Sequence, residues 1–522
     1  MAQFINTLLI AVQLVHIVLG ANILCLFGVA SPSHHIWNRA IVDALAVKGH
    51  NITVLSADIE KDAPANVHYV ELEQTYPELY SGPHNIDLME MARENIFNAI
   101  VSFYRDFVIL ECSGVLKSEG LKFVKNYPDN FTFDLVIYDM TCGGCMNGLI
   151  HKFNYPPLVS VTAFSNPPYV TDVIGGHKHP AYIPFFSLPY GSDMTFFQRV
   201  ENTLLYSLIF CFYRNYVSNP KLDAMVREYF QYDDLPYVPD IDRLSKIILV
   251  NAHYSIDFPE SAPPNLISVG GLQIKEAKKL PKDIEDFIVA GKKGAVLFSL
   301  GSNIRSDQLG REQQSMFIEA MRRIPDYNFL WKFESDLIFD LPKNVIIRKW
   351  LPQNDILAHP KTKAFISHSG MLSTHEATWH GVPIIGLPFI ADQHRNLQRC
   401  IRQGVAEKLV LQTLTTEQIR STVWKVLETP SYRKNMRKVS ALFRDQPEQP
   451  ITRAVWWIEW VLRHPDDDSL RSPVLKLGFL RSNLVDVVGF LVLVPTVLLV
   501  LIVTKCVLRR CKSGVAKKQK QN

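Results

Sequence analysis

Residues 350–393 read WLPQNDILAHPKTKAFISHSGMLSTHEATWHGVPIIGLPFIADQ. Within them, residues 364–367 form a short apolar run, residues 373–379 carry a helical pattern, and residues 383–387 are apolar again. Two short apolar runs joined through a helix predict parallel strands with a crossover. Parallel strands buried on both faces belong to doubly wound α/β sheets, whose loops at the carboxyl edge form the binding crevice.

The same rhythm extends outward. Residues 295–300, 328–332 and 345–348 read as further strands, with a helix around 312–323 after the first. In the first half, residues 22–30 (NILCLFGVA) have the continuous apolar character of a buried parallel strand. A loop Ser31-Pro32-Ser33-His34 follows, then a helical face of Ile36, Ala40, Ile41, Ala44 and Leu45, a stop at Gly49 and a strand at 52–55. Another strand, 133–138, ends at Asp139 before the turn Cys142-Gly-Gly-Cys145. Two such runs predict two Rossmann-like domains with a cleft between them, separated by the charged stretch 275–286 (KEAKKLPKDIED) as an exposed linker. Residues 175–245, rich in Pro, Tyr and Phe, break the rhythm. They read either as a substrate-pocket wall that also touches a membrane face or as ordinary helical core.

Composition agrees with this size of fold. A chain of 522 residues, 47% apolar and 20% charged, is neither disordered nor a small disulfide-stapled scaffold. The net charge of +4 is a property of the last 18 residues, which hold seven Lys or Arg and no acid, rather than of a nucleic-acid surface. Residues 1–21 read as a secretory signal peptide, and residues 487–504 as a transmembrane helix followed by the basic tail 505–522. The positive-inside rule puts that tail in the cytosol and the rest in a lumen, a single-pass type I arrangement. Lys518 and Lys520 stand where a dilysine retrieval signal would, or are simply a stop-transfer flank. In a lumen, Asn51 and Asn130 are glycosylation sequons. Cys506 and Cys511 flank the span, and the other six cysteines are too few for a disulfide framework.

The chemistry of residues 350–393 suits a nucleotide sugar. Trp350 offers a flat aromatic face and Gln353 an amide, a pairing suited to a nucleoside. His368 and Gly370 stand at a strand end before a helix, where free N–H groups and the helix dipole favour a diphosphate. Glu376 falls two turns further on, and Asp392 and Gln393 end the loop after the next strand. The whole stretch resembles the signature of the UDP-glycosyltransferases, closest to the membrane-bound animal branch. The resemblance extends to residues 453–465 (RAVWWIEWVLRHP) and on through the span and tail.

The resemblance implies a GT-B fold. Residues 22–275 are then an acceptor-binding domain, 286–445 a UDP-sugar-binding domain, and 446–486 a crossover helix and membrane-proximal segment. The helices near 430–463 are expected to cross back onto the first domain. It further implies Trp350 stacking on uracil, Gln353 and Glu376 on ribose, His368 with Ser367 and Ser373 on diphosphate, and Asp392 and Gln393 on the sugar. Ser302, in the FSLGS turn, is similar to the family's phosphate-contacting serine. Leu372 departs from the pattern, standing where many relatives have asparagine. The co-substrate is UDP-glucuronic acid or UDP-glucose, with no other cofactor and no metal. The expected location is the endoplasmic reticulum membrane, and a homo-oligomer is one expected assembly.

Transfer to a hydroxyl requires a base, and imidazole is matched to neutral pH. His34 and Asp139 both follow first-domain strands, so both reach one sheet's carboxyl edge, where the carboxylate would hold the imidazole as in a Ser-His-Asp triad. Adjacent His35 competes; counting back from Gly49-His50 in the family's pattern selects His34. The implied reaction is inverting transfer to a small lipophilic acceptor. Other readings are a dithiol oxidoreductase built on Cys142 and Cys145, and a non-catalytic lipophile or hormone carrier on the same fold. A dinucleotide dehydrogenase is excluded, because GVASPSHH follows the first strand where a G-x-G-x-x-G would stand.

Overall fold

The structure, a computed structural model, describes residues 20–82, 85–336 and 340–519. The expected signal peptide, but for Gly20 and Ala21, and the end of the tail (Lys520 included) lie outside the described residues.

The first sheet begins with β1 (Asn22–Phe27), whose apolar residues are buried on both faces. Helix α1 (Pro32–Val47) follows, then β2 (Asn51–Ser56) and β3 (Val67–Glu71). The chain continues through α2 (Val108–Lys117), β4 (Leu135–Asp139) and β5 (Leu158–Thr162). A long excursion includes α3 (Phe196–Leu204), which runs on as a π-helix over Leu205–Ser218 and ends in α4 (Asn219–Phe230). Strands β6 (Ser245–Val250) and β7 (Leu266–Ser268) complete a parallel sheet in the order β3-β2-β1-β4-β5-β6-β7.

The second sheet is built alike. After α5 (Lys282–Ala290) come β8 (Gly294–Ser299), α6 (Arg311–Arg322), β9 (Tyr327–Lys332) and β10 (Val345–Arg348). Then follow α7 (Gln353–Ala358), β11 (Thr362–Ser367), α8 (Met371–His380), β12 (Ile384–Gly386), α9 (Gln393–Arg402) and β13 (Ala406–Lys408). Its order is β10-β9-β8-β11-β12-β13, all parallel. Each sheet carries an apolar core on both faces. Strand order reverses between β1 and β4 in the first sheet and between β8 and β11 in the second, and such switch points open the crevices in which α/β folds bind ligands.

Two expectations change. His34 is not in a loop: β1 ends at Phe27 and α1 starts at Pro32, so His34 sits in the helix's first turn. The expected linker is half helix, because Ile284 and Ile288, four residues apart, give α5 a buried stripe under its charged face. Of the helices near 430–463, α10 (Pro430–Arg444) packs Met436 and Val439 on the second sheet, and its end meets the first lobe, where the Phe443 ring lies 4.1 Å from that of His253 and the Tyr254 hydroxyl donates to the Leu442 carbonyl at 2.8 Å. The next helix, α11 (Pro450–Arg463), packs Ala454, Val455 and Ile458 into the cluster with Trp37, Ile41 and Leu45 of α1.

Residues 471–522 form a second unit. Within it, α12 (Val485–Gln519) has a stretch, Val485–Arg509, long and apolar enough to cross a membrane.

Candidate active site

At the first switch point, His34 Nδ1 lies 3.0 Å from Asp139 Oδ2 at the end of β4. Asn38, one turn further along α1, donates to the same oxygen at 2.9 Å, and the Thr141 N–H donates to Oδ1 at 3.1 Å. Burial alone would raise the Asp139 carboxyl, but the His34 charge and these hydrogen bonds hold it below the usual range. The Phe164 ring meets the imidazole edge-on at 5.2 Å. Neighbouring His35 turns away to Glu60 at 3.0 Å and lines neither cavity described below.

At the second switch point, the His368 ring lies between two glycines. A Cβ on Gly301 would come within 2.6 Å of it and one on Gly370 within 2.3 Å, so no other residue fits either place without moving the ring. Gly301, at φ +87°, turns the chain into Ser302. Gly370 precedes α8, leaving that helix's first N–H groups open to the crevice. Burial, then the Lys332 charge, pushes His368 down to about 4, so the imidazole is a neutral N–H donor at pH 7. Trp350 is 64% exposed, with the Lys332 ammonium 5.8 Å from its ring centroid. Gln353 donates to Ser373 Oγ at 3.0 Å and to Glu376 Oε2 at 2.7 Å. Burial pushes Glu376 up to about 7 and Asp392 to about 6. Asp392 accepts from Asn396 at 2.8 Å, and the Gln393 side-chain oxygen accepts the Phe389 N–H at 2.8 Å.

These residues meet. One cavity of about 310 Å³ is lined by His34 from the first lobe and by Ser302, Trp350, Gln353, His368 and Glu376 from the second, with Gly370, Ser373, Asp392 and Gln393 also in its wall. Ser367 is the exception. It ends β11 on the buried side, its hydroxyl accepts the Ser369 N–H at 3.1 Å, and it is not part of the wall. Leu372 lines the cavity and packs against the apolar cluster of the first lobe.

A second cavity of about 380 Å³ shares His34, Phe164, Asn303, Ile390 and Ala391 with the first. Its other walls are mainly apolar, with Ile100, Phe103 and Tyr169 among them. Phe186, Leu188 and Tyr190 come from the aromatic excursion, so part of that segment is pocket wall. Another part is exposed ridge: Phe196, Val200, Leu204, Leu208, Phe212 and Tyr216 recur every fourth residue on the solvent side. The dithiol reading is overturned, because Cys145 is bonded to Cys112 on α2 while Cys142 is free and buried. Among the described residues, no group of three or more His, Cys, Asp and Glu could hold a metal ion.

Sequence reasoning did not find Asn38, Phe164 or the Cys112 pairing. Asn38 has a signal, since it lies four residues after His34 on a helix, but Phe164 follows a strand that was not recognised.

Residues 25–521 match the model of the UDP-glucoronosyl and UDP-glucosyl transferase family. The chain belongs to this family. The glycosyltransferase is 34% identical to UDP-glucosyltransferase 2 of Dactylopius coccus over 90% of each chain. It is 32% identical to human UDP-glucuronosyltransferase 2B7 over 93% of its own length and 94% of the relative's. Its fold is that of GT-B enzymes: the calicheamicin glycosyltransferase CalG4 superposes with a TM-score of 0.55 at 17% identity, covering 86% of this chain and all of that one. TcCGT1 in complex with UDP gives 0.54 at 15%, covering 85% and 100%. This placement makes the glycosyltransferase a UDP-sugar-dependent enzyme and does not favour the carrier reading.

Proposed function

We propose that the enzyme transfers glucose or glucuronic acid from its UDP-sugar to a hydroxyl of a small lipophilic acceptor, with His34 as general base. The observation carrying this reading is that His34, backed by Asp139, stands where the polar cavity and the apolar cavity join. Uracil stacks on Trp350, ribose bonds Gln353 and Glu376, and the diphosphate takes N–H groups of His368 and the start of α8 together with the hydroxyls of Ser302 and Ser373. Asp392 and Gln393 hold the sugar. The acceptor lies in the apolar cavity with its O–H at His34.

The base takes the acceptor proton as the oxygen bonds the anomeric carbon. The bond from that carbon to the diphosphate oxygen breaks on the opposite face, so an α-linked donor gives a β-linked product and UDP leaves. Asp139 fixes the tautomer and stabilises the imidazolium. The charge that develops on the leaving diphosphate meets donors already in place, so the proposed reaction needs no metal ion.

A luminal, type I placement is supported by the apolar stretch Val485–Arg509, the basic tail after it and the Cys112–Cys145 bond, which suits an oxidising compartment. Asn51 and Asn130 are both exposed, as glycan attachment requires. The test is to incubate microsomes carrying the protein with each UDP-sugar and a phenolic acceptor, with and without chelator. A β-linked conjugate of one sugar, identified by mass and NMR and formed equally with chelator, is expected. Release of UDP without any conjugate would overturn the assignment.

A further inference from the structure

The turn after β8 does more than carry Ser302. The next residue, Asn303, lines both cavities and reaches across the cleft to Ser31 of the first lobe. Its amide N–H donates to the Ser31 hydroxyl at 2.9 Å. That hydroxyl in turn has two acceptors within reach, the Asn303 Oδ1 at 3.1 Å and the Ser33 Oγ at 3.0 Å.

Ser31 is the residue that precedes α1, in extended conformation, yet its side chain makes no capping bond to that helix. A serine there ordinarily accepts an N–H of the first turn, for a gain of about 1 kcal/mol. Here the hydroxyl instead faces Asn303 of the opposite lobe and Ser33 of its own helix. Three residues on, in that same first turn, stands His34. The helix start bearing the base is thus tied to the turn that bears Ser302, with Ser31 itself only 3% exposed.

The bond is not what holds the lobes together. On another part of the interface Arg395 is buried against Asp257 at 3.8 Å and donates to Ser165 at 3.3 Å, and Gln403 donates to the Ser255 carbonyl at 2.6 Å. The Asn303–Ser31 pair sits instead at the junction of the two cavities.

We infer that Asn303 is a positioning residue. Through Ser31 it sets the first turn of α1, and so the His34 imidazole, at a fixed distance from the donor held by the Gly301–Ser302 turn. This rests on the proposed role of His34 as base, and it adds that the geometry of that base is set from the donor lobe.

The test is a double-mutant cycle on the full chain in membranes, with Asn303→Ala, Ser31→Ala and the pair, reading kcat, UDP affinity and thermal stability. Misplacing a reacting group by about 1 Å costs on the order of a hundredfold, so each single variant is expected to lose roughly tenfold to a hundredfold in kcat. UDP affinity should stay within about twofold, and the double variant should be no worse than the poorer single one. Losses that multiply, a kcat unchanged in Asn303→Ala, or a fall in UDP affinity equal to the fall in kcat would each overturn the inference. His34→Ala separates the two readings: if it keeps its rate, the base assignment fails, whereas an inactive His34→Ala beside a fully active Asn303→Ala removes only the positioning role.

Discussion

Gln353 and Glu376 are joined in the wall of the polar cavity by a bond of 2.7 Å in which the amide of the first donates to the carboxylate of the second. The pair links the start of α7 to the second turn of α8, two elements that both begin at the carboxyl edge of the second sheet. Glu376 is thereby held in the cavity wall, at the expense of burial.

That burial gives a pH dependence. The Glu376 carboxyl is raised to about 7, above the 4.3 of an unfolded chain. Between those values the folded protein binds the extra proton, so this group's contribution to stability is present below about pH 4 and is lost as pH rises through 7. Removing the charge with Glu376→Gln should therefore raise Tm more at pH 8 than at pH 5, while weakening UDP binding at pH 8. A shift in Tm of equal size at both values would show that the carboxylate carries no buried charge.

Trp350 is assigned to the base of the donor and contributes little to the core, being 64% exposed. Base–aromatic stacking is worth about 1–3 kcal/mol by alanine substitution, roughly tenfold to a hundredfold in affinity. Trp350→Ala should lose that much UDP affinity, measured by calorimetry, with Tm unchanged. Undiminished affinity would remove the stacking role.

The Cys112–Cys145 bond ties α2 to the turn after β4 and closes a separation of 33 residues. Such a cross-link contributes about 3–4 kcal/mol. The double variant Cys112→Ser, Cys145→Ser should melt roughly 5–10 °C lower. A Tm insensitive to both the substitutions and reductant would show that the two thiols are not joined.

Much of the second lobe was legible because its signals are local. Residues 345–348 form a strand with the bounds their apolar run indicates, and the helix after Gly370 differs from its expected start by two residues. The cradle of His368 was legible in outline, as strand, turn and glycine, but not the closeness of Gly301, which comes from a different strand. The first lobe was harder to read. Strands β5 and β6 are separated by about 80 residues of aromatic excursion, so no local alternation marks them as neighbours. Ser367 was misread because sequence proximity to His368 says nothing about which side of the sheet its hydroxyl takes. The cysteine pairing depends on α2 packing beside the turn after β4, a tertiary contact with no local signature. Asn303 looks like any turn residue until the opposite lobe is in place.

The central claim is that one imidazole serves both cavities. Its most direct test is to measure kcat and UDP-sugar affinity of His34→Ala side by side in the full chain. General-base catalysis contributes typically about 10²–10⁴ in rate. The account predicts that kcat falls by at least that factor while donor affinity stays within about twofold. A variant that still forms the conjugate at the unmodified rate would contradict it.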